Sequence, residues 1–194
     1  MIGLPTLLPG GPPLARSQTI LLIQPWVEDF YSTDCRTQPI GLAYLAGSIR
    51  KSLPGFQPQI YDAQAGGRKQ TIPWPQEFDY LKPFYHAQQA GEYALFSSYR
   101  RSGKSEDQIK KDLSAHQPFL IGISALFTPY YRESLAMARL CRELFGSVPI
   151  VMGGSHATMH PETLLGTLVD FVLCGEAEDS IVALIRALCG EQTF

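Results

Sequence analysis

Pro118-Phe-Leu-Ile-Gly-Ile-Ser-Ala-Leu-Phe127, Val148-Pro-Ile-Val-Met-Gly-Gly-Ser-His156 and Val169-Asp-Phe-Val-Leu-Cys-Gly-Glu-Ala-Glu178 decide how this chain folds. Each starts as an apolar run of strand length, ends in a small or polar cluster, and precedes a segment with helical spacing. Repeated units of this kind build a parallel sheet whose loops gather at the carboxyl edge, where α/β proteins hold ligands. The tails Ser124-Ala125-Leu126, Gly153-Gly154-Ser155-His156 and Gly175-Glu176 are therefore candidate site residues. Glycines without Cβ atoms let a bulky ligand lie against backbone, so one large, flat ligand is expected.

Working outward, Thr19–Gln24 is a continuous apolar run and is expected to be a central buried strand, stopped by Pro25. Trp26 to Gln38 reads as a long loop. Pro39 suits the first position of a helix running to Arg50, with Ile40, Tyr44, Leu45 and Ile49 as its apolar face. Gln59–Asp62 is a second, shorter strand. Residues 64–117 are too many for a simple crossover and are expected to form a helical insertion over one sheet edge. In it Phe78–Tyr99 is helix-like, and Ser105 caps a helix to Leu113. Strands at Phe119–Ser124, Val148–Met152 and Phe171–Cys174 then alternate with helices near Tyr130–Phe145, Pro161–Thr167 and Ile181–Leu188. The expected fold is α/β: a flavodoxin-like or Rossmann-like, doubly wound, five-stranded parallel sheet in the order 2-1-3-4-5. Residues 18–190 form that domain, behind a loose leader at 1–17.

The totals exclude several function classes. The chain has 194 residues, 45% hydrophobic and 18% charged, which describes a globular protein. A formal charge of −2 argues against a nucleic-acid partner bound through phosphates. The basic run Arg100-Arg101-Ser102-Gly103-Lys104 reads as a solvated turn. No apolar run approaches the roughly 20 residues of a membrane span, and the proline-broken amino terminus is not a secretory signal. Cys35, Cys141, Cys174 and Cys189 show no short ligand spacing, so no zinc or iron–sulfur site is expected. Three of them read as buried small hydrophobes, and Cys35 as a loop thiol open to reaction. A reducing, cytoplasmic setting fits.

At the strand ends, the Ser124 hydroxyl can donate to a ring nitrogen or simply close a turn. His156 is open between ligand, base and cap. Glu176 and Glu178 sit where a helix dipole favours them, and can hold ligand hydroxyls. No Gly-x-Gly-x-x-Gly, phosphate-loop or Gly-x-Ser-x-Gly pattern is present.

Together these residues resemble the cobalamin (vitamin B12)-binding domain that precedes the barrel of cobalamin-dependent radical S-adenosylmethionine (SAM) enzymes. The resemblance runs from Thr19 to Leu188. It is strongest at Gln38–Ala46, Gly122–Thr128, Met152–Thr158 and Val169–Glu178, and Tyr99–Ile109 is similar to the segment before strand three there. It implies base-off cobalamin, with the dimethylbenzimidazole tail threaded between the loops after strands three and four. Pro39, Gly41, Leu42, Ser124, Ala125, Leu126, Gly153, Gly154, Ser155, His156, Gly175 and Glu176 would hold the cofactor. It also implies a parent enzyme of the methyltransferase or related carbon-skeleton class. The parent's 4Fe-4S cluster and SAM would belong to a C-terminal radical SAM domain and not to this chain.

Two departures from the pattern matter. The Asp-x-His-x-x-Gly of the methionine synthase type is missing, since Trp26–Gln38 contains no histidine. The lower axial position of cobalt is then expected to be empty or filled by water. The Cys-x-x-x-Cys-x-x-Cys of the barrel is also absent, so the chain reads as a fragment that is not catalytic by itself. Two other readings compete. A flavodoxin-like nucleotide or flavin binder wants a Ser/Thr/Gly-rich loop where Trp26–Gln38 is aromatic and acidic. A ligand-free interaction module of receiver type wants an acidic cluster after the first strand, which Glu28 and Asp29 partly supply, and a lysine after the fifth.

Overall fold

The computed structural model describes residues 18–31, 38–84 and 98–191. The expected leader, Cys35 and the stretch 85–97 lie outside them. In chain order the elements begin with β1 (Thr19–Gln24), β2 (Val27–Asp29), α1 (Ile40–Ser52), β3 (Gln57–Asp62), β4 (Arg68–Thr71) and β5 (Arg100–Gly103). They continue with α2 (Glu106–Leu113), β6 (Pro118–Ser124), α3 (Tyr131–Phe145), β7 (Ile150–Gly153), α4 (Ser155–Met159), β8 (Phe171–Leu173) and α5 (Glu178–Leu188).

The main sheet has the order β3-β1-β6-β7-β8, with every neighbouring pair parallel. That is the expected 2-1-3-4-5 arrangement. Strand alternation divides the apolar residues between two cores. Leu21, Ile23, Ile121, Ile123, Ile150 and Met152 pack with Ile109, Leu113, Met137 and Leu140 of α2 and α3. Ile20, Leu22, Leu120 and Val151 face Leu42, Ala46 and Ile49 of α1 and Ile181, Leu184 and Ile185 of α5. Burial on both faces explains why these strands read as unbroken apolar runs.

Three local expectations are corrected. The buried stripe of α1 is Leu42, Ala46 and Ile49, while Ile40 and Tyr44 are exposed. The helix is apolar around much of its girth, so two stripes compete and packing against α5 selects one. The second correction concerns Val27–Asp29, which is a strand and not loop, and Arg100–Gly103, which is a half-buried strand and not a solvated turn. With β4 they form an antiparallel sheet, β2-β5-β4, in which Glu28 lies opposite Arg101. The insertion therefore adds strands to its helices: a 3-10 helix at Gln76–Phe84, and α2 with the Ser105 hydroxyl accepting from the Gln108 N–H at 3.3 Å. The third concerns the cysteines: Cys141 is buried as expected, but Cys174 is exposed and Cys189 half-buried, because both lie at element ends where the core has run out. Among the described residues no helix is long and apolar enough to cross a membrane.

Candidate cofactor-binding site

A groove of about 760 Å3 runs between the carboxyl ends of β1, β6, β7 and β8 and the amino ends of α1 and α5. Leu22, Gly122 and Val151 line its depth from the sheet. Ten of the twelve expected residues border it: Pro39, Gly41, Leu42, Ser124, Leu126, Gly153, Gly154, Ser155, Gly175 and Glu176.

The chain draws these loops together with short hydrogen bonds. The Ala125 N–H donates to the Gly153 carbonyl at 2.8 Å, and the His156 N–H to the Ala125 carbonyl at 3.1 Å. The Thr158 hydroxyl donates to the Gly154 carbonyl at 2.9 Å and accepts from the Gly175 N–H at 2.9 Å. The tails of β6, β7 and β8 thus form one connected rim. Gly154 has φ +125°, and a Cβ on it would lie 2.7 Å from the Ala125 carbonyl oxygen, so only glycine fits this crossing.

The other two expected residues do not face the groove. Ala125 is buried beneath the rim as its anchor. His156 is only 2% exposed; its Nδ1 lies 3.2 Å from the Thr128 hydroxyl and its Nε2 2.9 Å from that of Thr163, with the ring stacked on Tyr131. Burial, followed by the nearby His160, lowers its pKa. A neutral imidazole bonded at both nitrogens is structural here, which corrects its place among the ligand contacts. None of the described histidines borders the groove. Among the described residues no three His, Cys, Asp or Glu side chains gather as a metal cluster.

A second cavity of about 700 Å3 opens on the same edge, beneath the antiparallel sheet. Its walls include Trp26, Phe30, Phe78, Tyr99, Phe127 and Tyr130. Phe30 makes edge-on contacts with Trp74, Phe78 and Tyr99 at 4.6, 5.6 and 4.9 Å. The acidic pair after β1 is already engaged. The Glu28 carboxylate accepts from Trp26 Nε1 at 3.0 Å, while that of Asp29 accepts the Tyr31 N–H and the Tyr130 hydroxyl, each at 2.9 Å. Such carboxylates are poorly placed to act as phosphoacceptors, which removes the support for a receiver-type module. Behind this cavity Glu133 is buried, which pushes its carboxyl up to about 7.

The groove also includes residues that the sequence reading passed over, among them Gln24, Leu22, Gly122, Val151 and Thr158. Strand alternation could have found Leu22 and Gln24, which share a face with Ile20.

Residues 96–185 match the model of the B12 binding domain family. That part of the chain is similar to a B12-binding domain. Among curated proteins it is similar to a cytidylyl-2-hydroxyethylphosphonate methyltransferase of Streptomyces wedmorensis, with 27% identity over 93% of this chain and 30% of the relative. It is also similar to an anaerobic magnesium-protoporphyrin IX monomethyl ester cyclase of Rubrivivax gelatinosus, with 26% identity over 64% of this chain and 22% of the relative. The chain thus spans less than a third of the length of either. Among solved structures, the N-terminal domain of a response regulator receiver protein from Methanoculleus marisnigri JR1 aligns over 87% of this chain and 93% of that one, at 12% identity and a TM-score of 0.39. The family match includes the rim-forming tails of β6, β7 and β8, but not β1 or α1.

Proposed function

We propose that this chain holds cobalamin base-off, without a histidine on cobalt, as the cofactor half of a larger cobalamin-dependent radical SAM enzyme of the methyltransferase or related carbon-skeleton class. The observation that carries the reading is the floor of the groove. It is built from backbone at Gly122, Gly153 and Gly154 and from the apolar side chains of Leu22, Val151 and Leu173, which matches a flat aromatic base. The Ser124 hydroxyl stands on the same wall, makes no hydrogen bond among the described residues, and is free to meet a ring nitrogen.

In this reading each residue has a binding or positioning task. Gly153 gives the base room, Gly122 lets the Leu22 side chain close the floor beneath it, Ser124 fixes its orientation, and Leu126 covers it from the rim. Gly175 and Glu176 meet the nucleotide or corrin side chains. The rim hydrogen bonds hold these contacts in place before the ligand arrives, which lowers the ordering cost of binding. When bound, cobalamin supplies a cobalt centre able to exchange an alkyl group, and the protein's part is to place and tune it. The lengths of the two relatives support a further catalytic domain beyond this chain, and their printed activities support a methyl-transferring or ring-forming whole.

The test is a titration of the purified chain with hydroxocobalamin, followed by gel filtration and a visible spectrum. Co-elution with a base-off spectrum is expected. A base-on spectrum, or no retained cofactor at any concentration tried, overturns the assignment.

A further inference from the structure

The groove and the aromatic cavity meet along three residues common to both walls, Gln24, Ser124 and Leu126. Gln24 closes β1 and is 8% exposed. Strand alternation puts its side chain on the face of Ile20 and Leu22, toward the groove. Its main-chain carbonyl is occupied, accepting the Ala63 N–H at 2.9 Å. Its carboxamide has no hydrogen-bond partner among the described residues. The neighbouring Gln64, equally buried at 5% exposed, shows what the fold does with an amide it intends to keep: the Gln64 Nε2 donates to the Pro25 carbonyl at 3.0 Å. The Gln24 amide keeps access to the two cavities it lines, so an amide with no protein partner at their junction points to one that comes from outside.

The chemistry of that partner follows from the carboxamide itself. It offers an N–H donor and a carbonyl acceptor on one edge. A phosphate or a ring nitrogen can satisfy only the donor, whereas another primary amide satisfies both in a reciprocal pair. The rim of a corrin ring carries primary acetamides and propionamides.

We infer that Gln24 is a cofactor-contacting residue whose carboxamide pairs reciprocally with a primary amide of the corrin rim where the groove meets the aromatic cavity. The inference rests on the cobalamin reading above. It places the cofactor over both cavities, with its base in the groove and one edge of the corrin above Gln24.

The test is Gln24→Met, which keeps length and volume but removes both polar atoms. Two measurements are made: thermal unfolding of the cofactor-free chain, and the dissociation constant for hydroxocobalamin. The unpaired amide contributes nothing to the empty fold, so the variant should melt at or above the wild-type temperature. Its affinity for hydroxocobalamin should fall about tenfold or more, as expected for two lost hydrogen bonds. A lower melting temperature with unchanged affinity would make Gln24 structural and overturn the inference, as would unchanged affinity alone. If wild-type protein also retains no hydroxocobalamin, the cobalamin reading itself fails and takes this pairing with it.

Discussion

Gly153 and Gly154 are neighbours in sequence but answer to different constraints. Gly154 is held at φ +125°, with the Ala125 backbone too close for any side chain. Gly154→Ala should therefore destabilise the fold by about 1–3 kcal/mol, the usual range for a residue forced into such a conformation. A Cβ on Gly153 meets only the Leu173 carbonyl at 3.7 Å and the Leu173 Cβ at 3.8 Å, which is ordinary contact. Gly153→Val should leave the melting temperature nearly unchanged while filling part of the groove and weakening cobalamin at least tenfold. Differential scanning fluorimetry and a hydroxocobalamin titration of both variants separate the two effects. Equal affinity in Gly153→Val would place the base elsewhere. Ser124→Ala removes a single hydroxyl and should weaken binding by about 1 kcal/mol, roughly fivefold, by the same titration. The sequence showed the glycine pair and the serine, because small residues after an apolar run stand out. It could not show that one glycine serves the backbone and the other the groove. That distinction depends on Ala125, in the loop after β6, and on Leu173 of β8, both remote in sequence.

Among the elements, the antiparallel sheet was the hardest to read. Val27–Asp29 has three residues, too few for a periodic signal, and its partner Arg100–Gly103 lies some 70 residues away in a run that looks like a charged surface turn. Only pairing explains both. Arg101 lies 4.0 Å over the Trp26 ring and 3.7 Å from the Glu28 carboxylate, so its stem and charge are both used. The pairing also places Trp26, Tyr99 and Ser102 around the aromatic cavity. Arg101→Met keeps the apolar stem and removes the charge. It should cost no more than about 1 kcal/mol, as for an exposed ion pair, because Arg101 Nε and Nη2 are buried without a partner and burial already disfavours the charge. Urea denaturation checks the magnitude. A loss below about 0.5 kcal/mol would mean that the stem on Trp26, and not the charge on Glu28, holds β5 to β2. The central parallel strands β1, β6 and β7, by contrast, were legible one by one, because each is buried on both faces and so carries its own apolar run.

At the scale of the whole molecule, two of its buried ionisable groups have pH responses that oppose each other. Glu133 at the start of α3 is pushed up to about 7, mainly by burial, and in the unfolded chain it returns to the ordinary 4.5. Its neutral form is favoured by folding, so its stabilising contribution is complete below pH 4.5 and is lost as pH rises through 7. His156 is lowered by burial from 6.5, so folding favours the neutral imidazole and stability is lost as pH falls below 6.5. Glu133 therefore favours acidic solution and His156 neutral solution, so the two pH-dependent losses belong to different residues. Glu133→Gln supplies a permanently neutral group of the same shape. It should match wild type at pH 4.5 and exceed it by about 2 kcal/mol at pH 8, the order of magnitude expected when a carboxylate is no longer ionised in the interior. Since neither group is among the charges that shift the other, the variant's acid limb should stay as in wild type. Urea unfolding of both proteins from pH 4.5 to 8 decides the matter. A stability difference independent of pH would show that the substitution acts through packing and that Glu133 keeps an ordinary carboxyl in the folded protein.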